Sequence, residues 1–124
     1  MESLIIQKTE DSPQILFDLE TGVFKLFGRS LPENAIEFYK PILDWIEELL
    51  EQSFDKEFVF EIQLEYFNTA SSKQLAKMLL LIEKYIDANK ISIRWFYEKE
   101  DNDMLISGNQ YSKFLKLEFE FVEY

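Results

Sequence analysis

A chain of 124 residues with 47% hydrophobic content fits one globular domain with a single sizeable core. Its 24 acidic against 13 basic residues leave a net charge of -11, which disfavours a nucleic-acid backbone or an anionic membrane as partner, since both need positive charge. Without any Cys or His there is no disulfide, no Cys-His or Ser-His-Asp catalysis and no zinc site of the usual kind, and a chain free of thiols suits a reducing compartment, the cytoplasm.

The elements follow in chain order. The start, Met1-Glu2-Ser3-Leu4, has no basic flank and no long apolar stretch, so no signal peptide is expected. No apolar run approaches the roughly 20 residues that span a bilayer, so no membrane insertion is expected. Residues 4–9 read as a short strand, broken by Asp11-Ser12-Pro13. Residues 15–20 and 23–28 flank Thr21-Gly22 and read as a hairpin with a tight turn.

A first helix is expected over 33–52, capped by Ser30, with Pro32 and Glu33 in its first turn. Its apolar stripe is Ile36, Tyr39, Ile42, Leu43, Ile46, Leu49 and Leu50. Pro41 removes a backbone bond, so a kink or break is expected near Phe38. The dense acidic run Asp44, Glu47, Glu48, Glu51, Asp55, Glu57 and Glu61 reads as a solvated face, with an electrostatically steered protein contact as the alternative.

Residues 57–67 alternate as a strand, Phe58, Phe60, Ile62, Leu64 and Tyr66 facing one way and Val59, Glu61, Gln63, Glu65 and Phe67 the other. The second face is half polar, so helices should cover only one side of the sheet. A second helix is expected from 71 or 72 to 88, with Leu75, Met78, Leu79, Ile82 and Ile86 inward and Asn89 as a left-handed cap. Residues 91–98 form another strand with Trp95 in the core, 100–103 a polar turn and 116–124 a closing strand; 104–115 between them is ambiguous, because Gly108 weakens any helix there, with a short late helix over 110–115 as one reading. The whole is a small α/β layered domain with no linker or repeat, in which the strands either side of the second helix run parallel.

Little of this chain is reactive. Gly22, Gly28 and Gly108 are scattered and make no phosphate loop, and Asp101 and Asp103 lack the spacing of a calcium loop, so no cofactor and no metal are expected. What remains is the junction Leu64-Glu65-Tyr66-Phe67-Asn68-Thr69-Ala70-Ser71-Ser72-Lys73, where a strand runs into a hydroxyl-rich helix start. The bland reading is a polar turn with an N-cap, worth about 1 kcal/mol. The functional one is a phosphorylation switch at Thr69. A phosphate brings about -1.5 to -2 charge to free helix N–H groups and to nearby Lys73, and blocks a partner that packs over Thr69.

That junction, with Leu31-Pro32-Glu33-Asn34, Leu43-Asp44-Trp45-Ile46-Glu47 and Ile91-Ser92-Ile93-Arg94-Trp95-Phe96-Tyr97, resembles the SiaC family of regulatory phosphoproteins over nearly the whole chain. The Asn-Thr-x-Ser-Ser-Lys pattern is its specific part. The resemblance implies a STAS-like single domain, a mixed β-sheet with helices mainly on one face, and no enzymatic activity of its own. It implies phosphorylation at Thr69 by a partner Ser/Thr kinase, removal by a PP2C-type phosphatase, and an unphosphorylated form that binds and activates a diguanylate cyclase. Ala70 stands where a relative can have Ser, which leaves Ser71 and Ser72 as neighbouring hydroxyls. The switch surface is expected to be Asn68, Ser71, Ser72 and Lys73, with Glu33, Asn34, Asp44, Trp45 and Glu48 as candidate partner contacts. For Trp45, rim-of-core packing is the competing expectation. The alternatives are a STAS-like antagonist that captures an anti-sigma kinase and a small-ligand sensor. Outward Glu residues along the last strand oppose edge pairing, so a monomer is expected when no partner is present.

Overall fold

The computed structural model describes residues 1–52, 57–87 and 89–124. Asp55 of the acidic run and Ala88, the expected end of the second helix, lie outside the described residues. The elements run β1 (Leu4–Ile6), β2 (Gln14–Asp18), β3 (Val23–Ser30), α1 (Ala35–Glu51), β4 (Glu57–Phe67), α2 (Thr69–Lys84), β5 (Lys90–Tyr97), α3 (Asn102–Phe114) and β6 (Glu118–Glu123). Among the described residues they build one six-stranded sheet in the order β1-β2-β3-β4-β5-β6. The first two pairings are antiparallel; β3–β4, β4–β5 and β5–β6 are parallel, each joined through a helix.

One face of the sheet carries the core. Phe24, Phe60 and Ile93 lie in register across β3, β4 and β5, as do Leu26, Ile62 and Trp95, and all six are buried. They join Tyr39, Ile42, Ile46 and Leu49 of α1 and Leu75, Met78, Leu79 and Ile82 of α2 in one apolar cluster. The opposite face is the one with alternate polar residues. There Lys25, Glu61, Arg94 and Glu120 stand in one cross-strand row, and the Arg94 guanidinium bridges Glu61 at 2.7 Å and Glu120 at 3.3 Å. Helices on one side of a mixed sheet are the layering expected of a STAS-like domain.

Several local expectations are corrected. The hairpin loop spans 19–22 rather than two residues, and Gly22 takes φ 72° in it. The Thr21-Gly22 pair is therefore only its second half. Ser30 does not cap α1; it is the last residue of β3 and fully buried. The cap is Asn34, whose Oδ1 accepts the Glu37 N–H at 3.1 Å while its Nδ2 donates to the Glu37 carboxylate at 3.3 Å. α1 runs unbroken through Pro41. Proline costs it the bond to the Glu37 carbonyl, but the buried stripe on either side holds the helix together. That stripe is centred on Ala35, Tyr39, Ile42, Trp45, Ile46 and Leu49, which leaves Ile36 66% exposed.

α2 begins at Thr69, earlier than 71, because Asn68 rather than a Ser is its cap. It ends at Lys84 with Tyr85 as its C-cap, so Asn89 does not cap it. α3 is a full helix of 13 residues, not a short late one. It is capped by Asp101, whose Oδ1 accepts the Met104 N–H at 3.0 Å. Gly108 does not weaken it so much as seat it: a Cβ there would stand 2.6 Å from the Trp95 indole. Trp95 also donates its Nε1–H to the Met104 carbonyl at 3.0 Å.

One irregularity reorients the end of β4. Gly28 (φ 113°) pairs with Leu64, but the next residue, Arg29, pairs with Tyr66, so β4 carries one extra residue. The slip exchanges the faces of the last two β4 side chains. Tyr66, expected inward, is 45% exposed under the Arg29 guanidinium, and Phe67, expected outward, packs edge-on against Trp95. The bulge thus rotates the strand just before the turn into α2.

Candidate functional site

Beyond the bulge, the chain enters α2 through Asn68, in extended conformation (φ -86°, ψ 177°). Its backbone N–H donates to the Ser30 carbonyl at 3.1 Å, which ties the turn to the end of β3. Its Oδ1 accepts the Ser71 N–H at 2.8 Å, and its carbonyl accepts the Ser72 N–H at 2.9 Å. The amides of Thr69 and Ala70 precede the first intrahelical bond and, among the described residues, take no acceptor. Thr69 and Ala70 are both exposed. The Thr69 hydroxyl therefore stands in solvent at the positive end of a 16-residue helix, beside two free N–H groups.

The three hydroxyls of this turn have three different environments. Ser71, expected on the switch surface, is fully buried. It points inward because it lies two positions after Thr69, on the face that packs against α1 and β3. Ser30 donates to Ser71 Oγ at 2.9 Å and is 2.7 Å from the Tyr39 hydroxyl. With the single Ser30 proton used on Ser71, Tyr39 is the donor in the second bond. Desolvation pushes the Tyr39 phenol up to about 12. Ser72 is half-buried and tied to α3: the Tyr111 hydroxyl donates to the Ser72 carbonyl and lies 2.9 Å from Ser72 Oγ. Of the three residues, Thr69 alone is exposed.

Around Thr69 runs an open groove between the first turns of α1 and α2. It is lined by Glu33, Asn34, Ile36, Phe38 and Pro41 on one side and by Ala70, Lys73 and Gln74 on the other. Lys73 follows Thr69 by four residues, on the same helix face, and is exposed. Glu33 and Asn34 thus line the same groove as Thr69, whereas Asp44 and Glu48 stand exposed further along α1 and do not line it. Trp45 is no surface anchor. It is 9% exposed, its ring packs 5.3 Å from both Phe17 and Phe24, and its Nε1–H donates to the Glu2 carbonyl at 2.8 Å. Rim-of-core packing is its role, because α1 turns its 45–46 positions onto the sheet.

Sequence reading missed Ser30, Tyr39 and Tyr111 as supports of the site. The signal was present for Tyr39: a Tyr inside an apolar stripe needs a partner for its hydroxyl. For Ser30 it was the inward place at a strand end, which no local pattern ties to a helix 41 residues later. Among the described residues no group of acidic side chains is placed to hold a metal ion, and no helix is long and apolar enough to cross a membrane.

Residues 6–124 match the SiaC family of regulatory phosphoproteins. This chain belongs to that family. An uncharacterized protein of Pseudomonas aeruginosa (strain UCBPP-PA14) is 31% identical over 102 residues, which cover 82% of this chain and 80% of that protein. Among solved structures, SiaC of Pseudomonas aeruginosa superposes with a TM-score of 0.89 at 26% identity over the whole of both chains. A crystal structure of the diguanylate cyclase SiaD in complex with its activator SiaC, also from Pseudomonas aeruginosa, gives 0.90 at 25% identity, covering 98% of this chain and 99% of the other. Membership in the SiaC family makes this a regulatory protein rather than an enzyme, and the STAS-like fold extends across the full alignment.

Proposed function

We propose that this chain is a phosphorylation-controlled activator of a diguanylate cyclase, with Thr69 as the phosphorylated residue. A partner Ser/Thr kinase adds the phosphate and a PP2C-type phosphatase removes it. The unphosphorylated form docks on the cyclase through the surface around Asn68, Thr69 and Lys73, with Glu33 and Asn34 at its edge. The observation that carries this reading is the exposure of Thr69 at a capped helix start, while the next two hydroxyls are held by Tyr39, Ser30 and Tyr111. The relative SiaC, of near-identical fold, is an activator of a diguanylate cyclase.

The physical logic is differential. At home the phosphate meets the helix dipole and two free amides, so the fold tolerates it. A partner packed over Thr69 must instead bury about two negative charges, which is prohibitive unless they are paired. The free protein is a monomer, since the exposed Glu118, Glu120 and Glu123 of edge strand β6 oppose pairing with another edge. It acts in the cytoplasm, where the GTP used by such a cyclase is found.

The test is direct. The cyclase is captured from the native host on unmodified protein and assayed for cyclic di-GMP formation from GTP. Wild type and Thr69→Ala activate it, whereas Thr69→Glu and the phosphorylated protein do not. Equal activation by the Ala and Glu versions removes the proposal.

A further inference from the structure

Apart from Ala70 in its first turn, the exposed residues of α2 form a single stripe. Thr69, Lys73, Lys77, Leu80 and Lys84 follow one another at spacings of three and four, and all are exposed. Leu80 is 55% exposed, a large apolar side chain set among cations. Among the described residues, Lys73, Lys77 and Lys84 pair with no carboxylate, and no acidic residue of α2 is exposed. Its one acid, Glu83, is half-buried and accepts the Lys116 N–H at 2.6 Å. In a chain of net charge -11 this is an anomaly, because α1 beside it exposes Glu37, Asp44, Glu48 and Glu51. Lys84 lies over the Tyr85 ring, 5.5 Å from its centroid, so its stem is positioned without a carboxylate. A surface selected only for solubility has no need to gather lysines around an exposed leucine and away from the available carboxylates.

We infer that this stripe is a docking surface for an acidic segment of the partner cyclase, its carboxylates meeting Lys73, Lys77 and Lys84 and an apolar side chain covering Leu80. The inference rests on the proposed function and gives the switch its sign. Phosphate at Thr69 places negative charge at the head of the stripe, in reach of Lys73 one turn on. It repels an acidic segment and occupies the cation that segment uses. A basic partner on the acidic face of α1 would be held more tightly by the same phosphate, the opposite of an off-switch. Thr69 and the lysines thus belong to one continuous surface.

The test compares two double variants with the same change in net charge: Lys77→Glu/Lys84→Glu on the stripe, and Lys8→Glu/Lys99→Glu at exposed positions outside it. Both are titrated onto the captured cyclase, unphosphorylated. The expected result is a loss of affinity of roughly tenfold or more for the stripe variant and less than about a twofold change for the control, given that charge pairs at a contact carry the larger effect. Lys77→Gln/Lys84→Gln, which removes charge without reversing it, falls between wild type and the stripe variant, and its unchanged melting temperature shows that folding is not the cause. Equal weakening by stripe and control variants, or none by either, overturns the inference while leaving the activator reading intact. Failure of the wild-type chain to bind any cyclase removes both.

Discussion

Ser30 and Ser71, 41 positions apart, share a hydrogen bond of 2.9 Å with neither residue exposed, and this bond joins the last residue of β3 to the first turn of α2. Two positions before Ser71, Thr69 is open to solvent. The same turn therefore holds one hydroxyl that builds the fold from within and one that stands on the surface.

Removing the structural hydroxyl destabilises. Ser71→Ala leaves the buried Ser30 proton without its acceptor, and a cost of about 1–3 kcal/mol is expected for such an orphaned group. The double variant Ser30→Ala/Ser71→Ala should lose less than the sum of the singles, since both partners of that bond go together. Thr69→Ala should cost within about 0.5 kcal/mol, as for ordinary surface substitutions. Urea unfolding of the wild type and the four variants checks all three statements; a Thr69→Ala loss equal to that of Ser71→Ala contradicts the division of roles.

Asn68→Ala removes the side-chain acceptor of the Ser71 N–H, and a loss of about 1 kcal/mol is expected from a missing N-cap. Asn68→Asp keeps the acceptor and adds favourable charge at the helix start, so it should hold or raise stability. Because that charge also sits beside Thr69, Asn68→Asp should weaken cyclase binding while Asn68→Ala weakens it less. Melting and binding measured together separate the two effects.

The Tyr39 phenol titrates near 12 in the folded protein against 10.0 when free. The folded state therefore keeps its proton longer than the unfolded chain does. Stability from this group is complete below pH 10 and is lost as the pH rises from 10 towards 12, by up to about 2–3 kcal/mol. Tyr39→Phe should flatten that alkaline decline. It also costs stability at pH 7, because it strips Ser30 of its donor. Equilibrium unfolding of both proteins between pH 8 and pH 11.5 reads the difference in slope; parallel curves exclude Tyr39 as its source.

Gly108→Ala should destabilise even though alanine is the better helix former by about 1 kcal/mol. The new methyl meets the Trp95 ring at 2.6 Å and the Phe121 ring at 2.8 Å, so α3 must move away. Overpacking of this kind costs about 1–3 kcal/mol. Denaturant unfolding, with Trp emission as a reporter of the displaced indole, checks it; a stabilised variant shows that α3 has room to shift.

What the sequence displayed and what it hid divide along one physical line. β4 and β5 were visible because a half-buried strand alternates, and the Asn68–Lys73 junction was visible because its polar run interrupts two such patterns. The parallel pairing around α2 followed from that order. The helix caps were less visible: Asn34, Asn68 and Asp101 all outcompeted nearby Ser or loop positions by geometry that spacing alone does not encode. α3 was hidden by Gly108, whose intrinsic cost is outweighed by close contact with a Trp on another element. The burial of Ser71 and Trp45 and the exchange of Tyr66 for Phe67 depend on contacts between distant segments. Around the candidate site, the helix start carrying Thr69 was legible from its neighbours, whereas the link from Ser30 to Ser71 was not.

The sheet order has a consequence for synthesis. Among the described residues, each strand hydrogen-bonds only to its neighbours in chain order. A nascent polypeptide leaving the ribosome can therefore extend the sheet outward one unit at a time, with no later strand needed between two earlier ones. The Ser30–Ser71 clasp closes as soon as α2 emerges. By then every strand up to β4 is available, and the turn that presents Thr69 can reach its final geometry while the last third of the molecule is still being translated.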